Sequence, residues 1–277
     1  MTDNVLVIGG TGFIGTRVCN RLDQKGFNVT AGSPSGDGTT KLNSDVETEI
    51  TDILYHGSLN FDDFDKVVNL AGLSPLFEPS GASYEEIHVE GVQNIVDEAL
   101  RANVNQLVHM SAYGASPDAE TEYLRTKGEG QQLVTDSNLR TCVFRPSLVL
   151  GHGGELDNLM RRLRNLPMAV LPANPKFQPI AVDDVADIFA EAVERDSTGV
   201  YDIGGEQALT LKQLVKRKYP GKTVFITPEF TTRNGLKVAE YLPLPFGMDQ
   251  YKSLKMDNSL ENNQAGEFLD DFRPFSV

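Results

Sequence analysis

The chain holds 277 residues, with 25 Lys and Arg against 39 Asp and Glu, a formal net charge of −14. Its 40% hydrophobic and 23% charged residues exclude wholesale disorder, and no apolar run approaches the roughly 18–20 residues of a membrane-spanning helix. The acidic balance argues against nucleic acid and anionic membrane surfaces as partners, while Cys19 and Cys142 are too few for a disulfide framework or a zinc cluster.

In chain order, Asn4–Ile8 is a short apolar run that ends in glycines, as a buried parallel strand does. Phe13–Lys25 carries Phe13, Ile14, Val18 and Leu22 at helical spacing and is closed by Gly26. Strands are expected over Phe27–Ala31, Val46–Ile50 and Lys66–Leu70. Tyr84–Ala102 is a helix with Ser83 as its N-cap and Ile87, Gly91, Ile95 and Ala99 on one stripe. Gln106–Met110 is a strand, Glu122–Asp136 a helix, and Thr141–Arg145 a strand stopped by Pro146. This alternation predicts an α/β fold, a doubly wound parallel sheet of Rossmann type.

After Gly151 the rhythm changes. Glu155–Leu166 reads as a helix and Pro167–Pro175 as a proline-rich loop. Phe177–Val182 and Val200–Ile203 read as strands around a helix over Asp184–Glu194. Leu209–Lys218, a strand over Thr223–Thr227 and a Pro-, Asn- and Asp-rich tail follow. The expected division is a dinucleotide-binding domain over 1–150 and a smaller substrate-side lobe over 151–277, partly interleaved with the sheet. Met1-Thr2-Asp3-Asn4 lacks the basic stretch of a secretory leader, so a cytoplasmic chain is expected.

The sharpest motif is Gly9-Gly10-Thr11-Gly12-Phe13-Ile14-Gly15, between the first strand and the first helix. In that context Gly9 and Gly12 allow a tight turn and close approach to a pyrophosphate. Gly15 lets the helix pack on the strand, and the helix N-terminus offers amides and dipole to the phosphates. Thr11, Phe13 and Ile14 belong to the same turn. A ribose-binding carboxylate would be expected at the end of the second strand, where Gly32-Ser33-Pro34-Ser35 stands instead. Lack of a carboxylate favours NADP(H) over NAD(H), with Ser33 and Ser35 as donors to the 2′-phosphate and Arg17 or Lys41 as sources of charge.

These motifs resemble the short-chain dehydrogenase/reductase superfamily in its extended and atypical branches, the NAD-dependent epimerase/dehydratase group. Asp52-Ile53 stands where that family places an Asp near the adenine. Val68-Asn69-Leu70-Ala71-Gly72 resembles the cofactor-lining fourth strand, which implies roles for Leu70, Ala71 and Gly72. His88-Val89-Glu90-Gly91-Val92-Gln93-Asn94 is similar to the central helix, with His88 where Asn is usual. Val108-His109-Met110-Ser111 resembles the strand that carries the catalytic Ser. Tyr123-Leu124-Arg125-Thr126-Lys127 has the Tyr-x-x-x-Lys spacing, and Phe144-Arg145-Pro146-Ser147 matches the strand end at which Pro146 lines the cofactor. Phe177–Val185 and the tail Leu242–Tyr251 resemble the atypical group related to the dehydrogenase-like accessory subunit of respiratory complex I. That resemblance implies two readings, an oxidoreductase or epimerase/dehydratase acting on an unidentified small molecule, and a non-catalytic accessory or redox-sensing subunit at a membrane complex. It also implies pairing of two copies through helices like Tyr84–Ala102 and Glu122–Asp136.

Tyr123 and Lys127, one helical turn apart, share a face. A free phenol has a pKa near 10. A nearby ammonium stabilises the phenolate, so Tyr123 could exchange a proton with an alcohol or carbonyl. Ser111 either polarises a substrate carbonyl or bonds to backbone or cofactor. Arg145 would meet a substrate anion or form a structural ion pair. The histidines at 56, 88, 109 and 152 form no spaced metal pair, and no metal is expected. Arg161, Arg162 and Arg164 read as a solvated helix face.

Overall fold

The computed structural model describes residues 2–76, 81–228 and 248–275. Its centre is a seven-stranded sheet. The strands are β1 (Asn4–Ile8), β2 (Asn28–Ser33), β3 (Glu47–Ile50), β4 (Lys66–Asn69), β5 (Gln106–Met110), β6 (Thr141–Pro146) and, after four short strands described below, β11 (Gly199–Ile203). Their order is β11-β6-β5-β4-β1-β2-β3 and every pairing is parallel. The chain therefore starts at the middle of the sheet, winds out to one edge and crosses back from β3 to β4. That reversal beside β1 is where a doubly wound sheet opens a crevice at its carboxyl edge.

Alternation along the strands decides the two layers. Val5 and Val7 face α1 (Gly15–Gln24), while Leu6 and Ile8 face α2 (Gly91–Arg101). Val68 and Val108 join the first layer, Val67 and Leu107 the second. Val134, from α3 (Glu122–Thr135), completes the second layer, and the first gains Ile188, Phe189 and Val193 from a helix beyond residue 180.

The second half adds short strands: β7 (Val149–Leu150), β8 (Met168–Leu171), β9 (Lys176–Phe177), β10 (Ile180–Ala181), β12 (Leu209–Thr210) and β13 (Thr223–Ile226). They pair as β7 with β10, β8 with β13 and β9 with β12. Helices α4 (Glu155–Leu163), α5 (Val182–Glu194) and α6 (Leu211–Lys218) complete this half, with α7 (Met248–Lys255) near the chain end. Leu156, Met160, Leu171, Phe177, Leu214 and Val215 form its own apolar cluster. Yet α5 packs on the main sheet and β11 extends it, so residues 182–203 belong structurally to the sheet.

Three expectations need correction. The stretch Pro167–Pro175 contains strand β8, because Met168–Leu171 alternates exposed and buried residues and pairs with β13. Phe177–Val182 is two short strands, and α5 begins already at Val182. The helix expected over Tyr84–Ala102 opens with a π turn at Glu86–Glu90 before α2. Ser83 does cap its start: its Oγ accepts from the Glu86 amide at 3.1 Å, and its own amide donates to Glu86 Oε2 at 2.7 Å. The segment Leu242–Gly247, part of the tail resemblance, lies outside the described residues. No helix among the described residues is long and apolar enough to cross a membrane.

Candidate functional site

A cavity of about 830 Å³ opens at the carboxyl edge of the sheet and runs from the glycine turn into the second half of the chain. Gly9, Thr11, Gly12, Phe13, Ile14 and Gly15 line one end, Ser33, Asp52 and Ile53 its flank, and Leu70, Ala71, Gly72 and Pro146 its floor. Ser111, Tyr123 and Lys127 line the same cavity. The glycine turn, the flank, the floor and the Ser111, Tyr123 and Lys127 group thus border one space, which Arg17, Ser35, Lys41 and Arg145 do not line.

The turn is shaped for close approach. A side chain on Gly15 would put its Cβ 2.0 Å from the Gly9 carbonyl oxygen, so only glycine lets α1 start this near β1. Gly9 itself has φ +78°, the left-handed region. No side chain caps the first turn of α1. Its amide end is therefore presented to the cavity without a competing internal acceptor from a side chain. A bare glycine cradle, an uncapped helix start and an adjoining slot fit a dinucleotide pyrophosphate. On the flank, Asp52 Oδ1 accepts from the Leu54 amide at 3.0 Å, and the Ile53 carbonyl accepts from Asn94 Nδ2 at 2.8 Å. These bonds fix the loop after β3 against the cavity.

The ribose end differs from expectation in one respect. Ser33 lines the cavity and its Oγ accepts from the Gly36 amide at 3.0 Å, but Ser35 and Lys41 are not among the lining residues. Arg17 is turned away. It donates to the Phe13 and His152 carbonyls at 2.6 and 3.1 Å and pairs with Asp183 at 3.3 Å. The strand end carries no carboxylate, as read from the sequence, and neither named cation reaches it.

Tyr123 packs edge-on against Tyr84 and His88, with ring centroids 5.7 and 5.6 Å apart. The Tyr84 hydroxyl donates to the Ser74 carbonyl at 2.7 Å. Lys127 is buried, and its Nζ donates to the Met110 carbonyl at 3.0 Å. Burial draws the Lys127 ammonium down to about 8, because a low-dielectric site disfavours its charge. Ser111 is held by its amide, which donates to the Phe144 carbonyl at 2.8 Å. Its Oγ is buried without a hydrogen-bond partner, while the residue lines the cavity.

His88 is the residue whose part sequence reasoning missed. Its Nε2 accepts from the Leu73 amide at 3.0 Å, so its proton sits on Nδ1, which donates to Thr126 Oγ1 at 3.0 Å. Thr126 Oγ1 in turn donates to the Glu122 carbonyl at 2.9 Å. Burial first, then the charge of Lys127, hold His88 far below the usual imidazole range, so the ring stays neutral. It pins the loop after β4 to α3 beside Tyr123. A Cβ on Gly130 would come within 2.0 Å of the His88 carbonyl oxygen, so α3 meets the π turn at a bare glycine.

Other candidates resolve structurally. Arg145 pairs with Asp202 at 2.6 Å. Cys19 and Cys142 are buried, and burial pushes both thiols up to about 12. Arg161 holds Asp157 at 2.9 Å. Among the described residues no group of three or more His, Cys, Asp or Glu is arranged to hold a metal ion.

A model of the NAD dependent epimerase/dehydratase family matches residues 5–204. The chain belongs to that family. Among curated relatives it is 25% identical over 225 residues to the mitochondrial NADH-ubiquinone oxidoreductase 40 kDa subunit of Neurospora crassa, covering 75% of this chain and 57% of the relative. It is 24% identical over 236 residues to the NADH dehydrogenase 1 alpha subcomplex subunit 9 of Mus musculus, covering 76% of this chain and 59% of that one. The chain thus spans under two thirds of the length of these relatives. Among solved structures, the UDP-glucose 4-epimerase of Thermus thermophilus in complex with NAD superposes with a TM-score of 0.67 at 21% identity, covering 81% of this chain and 86% of the other. That likeness establishes the fold.

Proposed function

We propose that the chain binds a nicotinamide dinucleotide and acts as an oxidoreductase or epimerase/dehydratase on a carbonyl or alcohol, with Tyr123 as the proton donor and acceptor. One observation carries this reading: a single cavity is lined both by the glycine turn and by Ser111, Tyr123 and Lys127. Gly9 to Gly15 would hold the pyrophosphate, Asp52 and Ile53 would flank the adenine, and Leu70, Ala71, Gly72 and Pro146 would seat the nicotinamide half, where the carrier would supply or accept a hydride. Tyr123 passes its phenolic proton to the substrate oxygen, Lys127 favours the phenolate left behind, and Ser111, which lines the same cavity, would polarise that oxygen on turning its hydroxyl into the space. Absence of a carboxylate at the end of β2 supports NADP(H) as the carrier. With no cation beside it among the described lining residues, discrimination against NAD(H) is expected to be weak.

The experiment is calorimetry with NAD+ and NADP+, followed by turnover of a broad carbonyl panel with the reduced carriers. Tyr123→Phe should leave carrier affinity within about twofold and lower turnover at least ~10²-fold. Heat from neither carrier ends the proposal. The two complex I relatives favour a second reading, a carrier-binding accessory subunit docked on a respiratory complex. Tight carrier binding without turnover, together with co-purification of membrane-complex subunits, would select it.

A further inference from the structure

We propose that α7 seats Tyr123: Asp249 and Met256, both beyond residue 204 where the match to the family ends, are positioning residues for that phenol. The inference rests on the reading above for the role of Tyr123, but the placement it asserts is a property of the chain alone. Tyr123 is the second residue of α3. A helix end is where amides lack partners within the helix and where the turn frays. A phenol that must meet a substrate oxygen in one geometry needs that turn held.

Two residues from different parts of the chain cap it. Thr121, the N-cap, accepts from the Leu124 amide through Oγ1 at 3.4 Å and from the Arg125 amide through its carbonyl at 2.9 Å. Asp249 Oδ1 accepts from the Glu122 amide at 3.1 Å, an acceptor brought from 127 residues further along the chain. Its carboxylate also stands at the positive end of the α3 dipole, where negative charge is favoured. Next to this turn Ala112, Ala115 and Leu124 form a small buried cluster, against which Tyr123 and Met256 both pack. Two of those three are alanines, so the Met256 thioether supplies bulk that the cluster itself lacks. Tyr84 and His88 meet the Tyr123 ring edge-on. The chain around α7 is itself anchored: Tyr251 is buried, the Asn258 amide donates to the Lys176 carbonyl at 2.7 Å, and the Asn258 carbonyl accepts from Ser147 Oγ at 2.7 Å. Leu254 of the same helix lines the cavity, so the element that borders this side of the cavity also fixes the phenol.

The test is nuclear magnetic resonance on the full chain labelled in its tyrosine rings, with Tyr123→Phe assigning the Tyr123 signals. The wild type should show transfer between the Tyr123 and Tyr84 rings, whose centroids are 5.7 Å apart. Asp249→Ala should weaken that transfer and speed amide exchange at Glu122 by ~10-fold or more, and Met256→Ala should weaken the transfer likewise. Asp249→Asn, which keeps the acceptor oxygen, should restore both readings. Lys252→Ala, at an exposed position of the same helix, should change neither. With a carbonyl that turns over, Asp249→Ala should lower kcat about tenfold and leave KM for the carrier within about twofold, the split expected when geometry rather than binding is lost. Should Met256→Ala not fold, the two substitutions at Asp249 decide. Undiminished transfer in Asp249→Ala and Met256→Ala, or an equal loss in Asp249→Asn or Lys252→Ala, would overturn the proposal. Absence of heat from both carriers, with the ring contacts behaving as stated, would end the proposed function and leave the seating of Tyr123 standing.

Discussion

Lys127 reaches the site from inside α3, and its burial ties protonation to stability. In the unfolded chain its ammonium titrates at 10.5, in the folded one at about 8. Below about pH 8 both states carry the proton, and folding bears the full cost of burying a charge. Between about 8 and 10.5 the folded state has released the proton while the unfolded state keeps it, so the free energy of unfolding rises with pH through that window. A gap of this size corresponds to roughly 3 kcal/mol. Urea unfolding of the wild type and Lys127→Met at pH 7.5 and 10.5 isolates the contribution. The wild type should gain on the variant by a few kcal/mol across the interval, and parallel curves would contradict the assignment. Lys127 and Tyr123 were legible from sequence because a four-residue spacing on a helix fixes a shared face. Burial of Lys127 against Met110 was not, because it depends on how β5 and α3 meet.

At the scale of elements, most strands and helices were readable because apolar periodicity and glycine punctuation agree over Asn4–Ile8, Lys66–Asn69, Gln106–Met110 and Glu122–Thr135. Short elements escaped. Met168–Leu171 is flanked by Pro167 and Pro172, and only pairing with β13 makes it a strand. The part of the cavity lining supplied by Ser253, Leu254 and Asn258 comes from a segment with no sequence pattern of its own. The His88 pin joins residues 73, 88 and 126, a contact no local spacing announces, and it sits where the family pattern has Asn. Its chain of bonds makes a prediction. Thr126→Val leaves the His88 Nδ1 proton buried without an acceptor and should lower the unfolding free energy by about 1–3 kcal/mol. His88→Leu strands the Leu73 amide instead, and hydrogen exchange at Leu73 should accelerate more than at β4 residues such as Val67. A second clamp joins α4 to α6. Burial alone would raise Asp157, but bonds from Lys218 at 2.5 Å, the Gly153 amide at 3.2 Å and Arg161 overcome it and hold the carboxyl well below the usual carboxylate range. The stability it contributes is complete above its unfolded value of 3.8 and is lost as pH falls below that point. Thermal unfolding of Asp157→Asn should accordingly lag the wild type at pH 7 and approach it by pH 2.

For the molecule as a whole, the C-terminal stretch binds the two halves of the chain into one core. Phe268 packs edge-on against Phe144 and Tyr201, at 5.2 and 5.0 Å between ring centroids. The Gln264 amide donates to the Asp202 carbonyl at 2.8 Å on the edge strand β11. Arg273 reaches α5, where its guanidinium pairs with the buried Asp184 at 2.9 Å and its amide donates to the same carboxylate at 3.0 Å. Burial still leaves Asp184 above its ordinary value, so the bonds from Arg273 only partly offset its desolvation. Phe268→Ala is expected to cost roughly 3 kcal/mol by loss of contact and cavity formation. Arg273→Met should cost about 1–3 kcal/mol, reduced from a fully buried pair because Arg273 is itself exposed. The two residues are anchored on different elements, so independent docking would make these costs add to within about 0.5 kcal/mol. If the stretch docks as one unit, release of the whole stretch re-exposes Asp184 to water and caps the total at the free energy of docking. The double variant then loses clearly less than the sum of its parts, and urea unfolding of the four proteins in the cycle separates the cases. Strict additivity would show that the chain end is held residue by residue rather than as a piece.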